Sequence, residues 1–347
     1  MEDSVRHGTY RGETRRKIVL IAAMCLVAVA LVFLCVVFGD TDYSLSEVLQ
    51  TIFDRDSVNS GMESIIWNTR IPQALTALVA GAALGIAGAE MQTVLDNPLA
   101  EPYTLGVSMA AAFGASLVIA FSVGASAMGS SAVMVCAFAF AMIACGVIFL
   151  VSRSRRTDRT VIILTGVAML FLFQALVNMV QSLSSSEVSS SISFWMFGSV
   201  GRTEMPDILL MTVILLLVGL LFAMNSWKLT ALKLGDSKVS SMGIDVKALR
   251  RNTIIAVSVL TAVVVSFTGT IGFIGLVGPH IARRLVGEDQ RFLLPASALC
   301  GALFLLAAHL VCNITEVTSI LPIGVVTSLV GVPFFLYMIY RGRRLGA

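Results

Sequence analysis

Polar and charged positions along this chain gather in short clusters, and long apolar stretches run between them. No Asp, Glu, Lys or Arg occurs in Ile18–Phe38, Ile71–Ala89, Tyr103–Ser152, Thr160–Ser186, Ile208–Trp227, Asn252–Ala282, Phe292–Thr315 or Val317–Tyr340. A helix of about 20 apolar residues crosses the hydrocarbon core of a bilayer. Backbone polar groups in lipid must be satisfied within the segment, so these runs are expected to be helices. A transmembrane β-barrel would need alternating apolar and polar residues, and these runs do not alternate.

The basic residues orient the spans. Arg6–Lys17, Arg153–Arg159, Lys228–Arg251, Arg283–Arg291 and Arg341–Arg344 together hold 21 of the 24 Lys and Arg. Such clusters favour the cytoplasmic side. Arg55, Arg70 and Arg202 are the remainder, and the segment Gly39–Glu63 is acidic by contrast. If every cluster is inside, successive clusters are separated by an even number of spans. Asn252–Ala282 is too long for one helix and short for two, so parity splits it at Gly269–Gly272. The expected spans are about 18–38, 67–92, 103–123, 129–151, 160–184, 206–226, 252–269, 272–286, 292–312 and 321–340.

The fold expected is therefore all-α: a multi-pass protein of the cell membrane with ten transmembrane helices and both termini cytoplasmic. Residues 1–17 and 341–347 would be cytoplasmic tails around a single 18–340 domain.

Composition agrees. Of 347 residues, 57% are hydrophobic and 13% charged, about half the charge of a soluble domain, and the mean hydropathy is +0.90. A soluble enzyme is excluded, and nothing suggests nucleic-acid binding. The six cysteines lie in apolar runs without a CxxC pair and read as small buried hydrophobes. The first apolar run follows Arg15, Arg16 and Lys17 but lacks a cleavage-like exit, so a retained helix is expected. Trp67 and Trp195 on the outer side and Trp227 on the inner side fit interfacial anchors. Ser182–Ser193 reads either as a flexible loop or as a short polar helix at a water-filled mouth.

The candidate chemistry is sparse. Ion-coupled carriers place ionisable groups inside the membrane, and here only Glu90, His280 and His309 qualify, at different depths. No metal-binding or catalytic set and no cofactor motif is visible. No G-x-x-x-x-G-K-[ST] sequence is present, so the chain cannot cradle ATP phosphates by that motif. The cytoplasmic loop Leu232–Leu249 keeps helical spacing at Val239, Met242, Val246 and Leu249, with breaks at Gly235 and Gly243. Two short surface helices suited to docking another protein are expected there, or helices resting on membrane lipid.

From Arg70 to Tyr340 the motifs resemble one family: the FecCD-type permease subunits of the iron–siderophore, haem and vitamin B12 ABC importers. The resemblance rests on Arg70-Ile-Pro72, Gly81-Ala-Ala-Leu-Gly85, Gly88-Ala89, Gln92, Asn97-Pro98-Leu-Ala100 and Leu105-Gly106-Val-Ser108. It continues with Leu234-Gly235 and Met242-Gly243, then Gly272-Phe-Ile-Gly275-Leu-Val-Gly-Pro279-His280-Ile-Ala-Arg283, Asp289, and Leu321-Pro322-Ile-Gly324. It implies a homodimer or a heterodimer with a related permease, two cytoplasmic ATPase subunits and an extracytoplasmic substrate-binding protein.

Among site residues, it implies ATPase coupling through Leu234, Gly235, Asp236, Met242 and Gly243, with Arg283 and Asp289 as a secondary contact. Asp236 would cap the first short helix. Arg70 would dock the binding protein. Gln92, Asn97, Pro98, Gly272, Gly275, Pro279, His280, Pro322 and Gly324 would lie at the pathway or the interface. Gly81, Gly85 and Gly88 give one face of the second span a close helix contact. Gln73 and Asn313 stand where members often have Arg, His309 where Asp is common, and Glu90 where an apolar residue is usual.

The cargo expected is a bulky metal chelate, first a ferric siderophore, with haem or cobalamin as alternatives. The competing class is a proton-coupled carrier using Glu90 and His280. A third class is a membrane scaffold without transport.

Overall fold

The computed structural model describes residues 2–39, 41, 43–54, 59–121, 130–153, 159–314 and 321–344. Asp40, Asp42, Arg55, Asp56, Arg155 and Arg156 of the charge clusters lie outside the described residues, as does the expected turn near 122–129. Every regular element among the described residues is helical. In chain order the α-helices are α1 (Glu2–Val37), α2 (Leu45–Phe53), α3 (Ser60–Ile65), α4 (Ile71–Leu95), α5 (Val107–Phe121), α6 (Ser130–Arg153) and α7 (Arg159–Leu183). They continue as α8 (Ser186–Met196), α9 (Met205–Ala231), α10 (Asp236–Ser241), α11 (Val246–Thr268), α12 (Ile274–Val286), α13 (Gln290–Ile314) and α14 (Ile323–Arg344).

Each of the ten expected spans overlaps an α-helix among the described residues. Seven helical stretches are long and apolar enough to cross a membrane, those of α1, α3–α4, α6, α7, α9, α11 and α13. α5 and α14 offer shorter apolar stretches. α12, with 13 residues, is only about 20 Å long at 1.5 Å per residue. The break required by charge parity is real: α11 ends at Thr268, with Gly269 at positive φ, and α12 begins at Ile274.

Local chemistry sets the ends. Ser44 and Glu47 form a capping box on α2, and Ser185 and Asp245 cap α8 and α11 through their side-chain oxygens. A π-turn at Ile66–Arg70 joins α3 to α4 as one rod, and Pro72 occupies the first turn of α4. α1 is continuous from Glu2 through the basic cluster into the first apolar run.

α4 is the hub, buried along most of its length against α13, α12 and α11. Small residues make that possible. A Cβ on Gly81 would lie 2.6 Å from the Gly301 carbonyl oxygen, and one on Gly85 would lie 2.2 Å from that of Ser297. The backbones of α4 and α13 therefore meet directly, the small-residue seam of membrane helix packing. α6, α7 and α9 keep only 22–28% of their apolar windows buried. Their exposed Leu150, Leu164, Phe171, Leu216 and Leu220 suit lipid.

Two smaller expectations change. Trp195 is buried, so it packs the interior instead of anchoring at the interface. Cys25 lies exposed on α1, whereas four of the six cysteines are buried.

Candidate functional site

The segment Leu232–Leu249, expected to couple to an ATPase, begins where α9 tightens into a 3-10 turn at Leu232–Leu234. Gly235 follows at φ 90° and α10 occupies Asp236–Ser241. Gly243 then turns the chain at φ 81° into α11. Both glycines adopt the left-handed region that disfavours a side chain, and nothing crowds either Cβ position. Only one of the two expected surface helices exists. Val246–Leu249 is the first turn of the long α11, capped by Asp245 through a 2.9 Å bond from Ala248 N–H.

Val239 anchors α10 inward, while Leu234 and Met242 are 54% and 47% exposed. Asp236 does not cap α10, since Gly235 holds the cap position. Its carboxylate pairs with Arg159 at 2.6 Å and Arg250 at 3.1 Å. Burial opposes its ionisation, but hydrogen bonds and charge from Arg250 and Arg159 outweigh that and hold it below the ordinary carboxylate range. Arg159 also reaches Asp96, and Arg250 donates to the Val94 carbonyl at 2.8 Å. This cluster welds α10 to the inner end of α4.

Arg283 and Asp289, expected as a secondary contact, both engage partners within the chain. Arg283 turns inward, donating to the Gln92 side-chain oxygen and the Ala89 carbonyl, with Glu288 3.4 Å away. Asp289 closes the start of α13 by accepting from the Arg291 N–H at 3.1 Å and from its guanidinium. Neither side chain is presented as a free docking group.

Three cavities among the described residues gather the expected pathway residues. The inner one, about 370 Å³, gathers Gln92, Asn97, Pro98, His280 and Arg283 with Lys233 and Glu288. The central one is about 740 Å³ and includes Glu101, Tyr103, Gln174, Phe273 and Ser328 with the expected Gly272 and Gly324. The outer one, about 340 Å³, includes Gln73, Arg202, His309, Asn313 and Pro322. Sequence-predicted pathway residues thus fall into separate chambers. Gly275 and Pro279 line none of the three. Both are buried, and Gly275 forms the contact surface for Gly88, where a Cβ would lie 2.0 Å from its carbonyl oxygen.

The central cavity is walled where helices are interrupted. Gly324 N–H donates to the Phe197 carbonyl at 3.0 Å, Ser199 N–H to that of Thr268 at 2.7 Å, and Thr270 Oγ1 to that of Met196. Irregular backbone persists at membrane depth only inside protein or beside a cavity, and these breaks do both. Glu101, which sequence reasoning passed over, sits here at 6% exposure. Its carboxylate accepts from the backbone N–H of Phe273, itself at φ 69°. The available signal was its isolation, as the only acidic residue between Asp96 and Asp158.

Arg70 is the clearest correction. It is 4% exposed, with Nη1 donating to the Val36 and Val37 carbonyls at 3.1 and 2.8 Å, and Nη2 to that of Thr41. A guanidinium at the carbonyl end of α1 satisfies orphan acceptors and matches the helix dipole. It is a structural clasp and does not offer a charge to a partner. Arg202 likewise donates to the Phe194 and Trp195 carbonyls.

The two intramembrane histidines stay apart. His309 borders the outer cavity beside Asn313, and His280 borders the inner one. Neither oxygen of the buried Glu90 has a hydrogen-bond partner among the described residues.

The FecCD transport family matches residues 25–341. The chain belongs to that family. The iron(3+)-hydroxamate import system permease protein FhuB of Bacillus subtilis is 35% identical over 330 residues, covering 94% of this chain and 84% of FhuB. The hemin transport system permease protein HmuU of Yersinia pestis is 33% identical over 302 residues, covering 86% of this chain and 90% of HmuU. A metal-chelate type ABC transporter solved in an inward-facing conformation matches with a TM-score of 0.80 at 29% identity, covering 93% of this chain and 99% of that one. This FecCD protein is accordingly a multi-pass ABC permease of the cytoplasmic membrane.

Proposed function

We propose that this FecCD permease forms the translocation pathway of an ATP-driven importer for a ferric siderophore. It would work as a dimer of permeases with two cytoplasmic ATPase subunits and an extracytoplasmic binding protein. The observation that carries the reading is the pairing of two features in one chain. A 740 Å³ cavity is walled by broken helices, and a coupling segment exposes apolar Leu234 and Met242 outside the lipid. Exposed apolar side chains beside fixed glycine turns suit a protein partner. ATP hydrolysis is assigned to that partner, because the chain carries no P-loop sequence.

The cargo assignment leans on the FhuB relative, whose name specifies an iron(3+)-hydroxamate. HmuU supports haem as the second reading. His280 and His309 border different cavities, which speaks against a proton path through both.

Reconstituted uptake tests the proposal. Ferric siderophore uptake should require the ATPase partner and survive collapse of the proton gradient. Uptake that needs the gradient and no ATPase would overturn it. Gly243→Val sharpens the test, because φ 81° strains a β-branched residue. The variant should insert normally yet lose ATPase co-purification or substrate-stimulated hydrolysis. Wild-type values of both would remove this segment from the mechanism.

A further inference from the structure

A continuous chain of polar contacts runs from the coupling segment to the first turn of α12. It starts at Lys233, next to the exposed Leu234, whose Nζ lies 3.1 Å from Glu288 Oε2. The same carboxylate oxygen lies 3.4 Å from Arg283 Nε. Arg283 Nη1 donates to Gln92 Oε1. Gln92 Nε2 donates in turn to the Gly275 carbonyl at 3.0 Å. Gly275 lies in the first turn of α12, three residues from Gly272 of the central cavity.

The links differ in strength along the chain. Lys233 and Glu288 are 36% and 52% exposed, so their pairing is weak and exchangeable. Gln92 is 2% exposed, so its amide cannot turn to water without leaving a buried polar group unsatisfied. The chain thus begins at a replaceable contact beside the docking surface and ends at a committed one. All four side chains also border the inner cavity of about 370 Å³. That space lets the long Lys and Arg side chains change partners, which a close-packed core would forbid.

We propose that Lys233, Glu288, Arg283 and Gln92 are positioning residues that transmit ATPase engagement to the start of α12. The inference rests on the importer reading above. When a partner draws on the Leu232–Leu234 turn, Lys233 shifts relative to Glu288, which is shared with Arg283. Arg283 then re-sets Gln92 and, through it, the Gly275 carbonyl. A purely structural network would hold α12 in place but would not tie transport yield to a half-exposed lysine.

The experiment is a double-mutant cycle in the full permease–ATPase complex in proteoliposomes. The readout is ferric hydroxamate taken up per ATP hydrolysed. Lys233→Gln and Gln92→Leu should each lower that ratio by about fivefold, the scale of ordinary coupling energies. Each ratio is normalised to the ATPase that co-purifies, so that weakened docking is not read as lost coupling. The double variant should match the more severe single variant, since both cut one chain. Multiplying effects would mean independent roles and would overturn the proposal, as would a wild-type ratio in Lys233→Gln. Should Gln92→Leu fail to fold, Lys233→Gln with Glu288→Gln gives the same cycle on exposed positions. Absence of ATP-dependent uptake in the wild-type complex would instead defeat the importer reading, so the two failures are distinguishable.

Discussion

Gly88→Ala should be among the most damaging single-methyl additions in this permease. A Cβ at Gly88 would lie 2.0 Å from the Gly275 carbonyl oxygen and 2.5 Å from both its carbonyl carbon and Cα. All three are backbone atoms, so no rotamer change relieves the clash. α4 and α12 would have to part by more than an ångström to restore van der Waals contact. Overpacking of this kind costs about 1–3 kcal/mol, and rigid backbone on both sides puts Gly88 at the upper end or beyond. Alanine returns up to about 1 kcal/mol through better helix propensity. The net loss is about 2 kcal/mol, or roughly a 30-fold shift in the folded-to-unfolded ratio. Gly146→Ala in α6 is the control, because nothing lies within 4 Å of its Cβ position. Thermal unfolding of the purified protein reads both variants. Gly88→Ala should melt well below wild type, and Gly146→Ala at or above it. Indistinguishable melting of the two variants would show that α4 and α12 separate at little cost, and the close-contact argument would fail.

Arg70→Met should destabilise by about 1–3 kcal/mol, because the carbonyls at the end of α1 lose their donor. The salt dependence of binding-protein affinity should stay unchanged, and a flattened salt profile would restore the docking role. Asp236 is held below the ordinary carboxylate range by Arg250 and Arg159 against the opposing effect of burial. Its stabilising contribution is therefore present above the unfolded pKa and lost as pH falls through the folded value. Asp236→Asn should be less stable than wild type at neutral pH, with the difference shrinking below about pH 4. A constant difference across a pH series of melts would contradict this.

The helical architecture was legible because the physics that sets it is one-dimensional. A charge-free run long enough to cross a bilayer has few alternatives, and parity of basic clusters located the break near Gly269 without a gap in hydropathy. The glycine seam was legible for a similar reason. Gly81, Gly85 and Gly88 share a helix face whatever the partner, although only the structure assigns Gly81 and Gly85 to α13 and Gly88 to α12. Side-chain direction was the part that escaped. Arg70 lies at an outer helix end, where a docking arginine and a clasp for α1 look identical in sequence. The choice depends on where the chain places Val36, Val37 and Thr41 in space. Arg283 misled for the same reason: a basic residue at a cytoplasmic helix end reads as surface, yet here the arginine folds back onto Gln92. Glu101 was overlooked because its role requires Phe273, far away in the chain.

The contacts around α12 divide into two kinds, and the division bears on how such a permease can move. Along its flank, Gly275 meets Gly88, and Gly278 lies so close to Gly301 that an added Cβ would sit 3.1 Å from the Gly301 nitrogen. Gly301 also abuts Gly81, so backbones of α4, α12 and α13 converge around one residue. Backbone-to-backbone contacts of this sort cannot be re-formed by side-chain rotation and act as a fixed bearing. At its ends, α12 is held differently. The inner end is tied by the long side chains of Arg283 and Glu288 beside a cavity. The outer end is tied by the Glu101 carboxylate, beside the uncrowded Gly272. Those links can exchange partners without moving the flank. A short helix with a rigid middle and adjustable ends suits transmission between the coupling segment and the central cavity. A helix of full membrane length, packed along its whole face, would have no such freedom. That is a physical reason for this fold to keep α12 short.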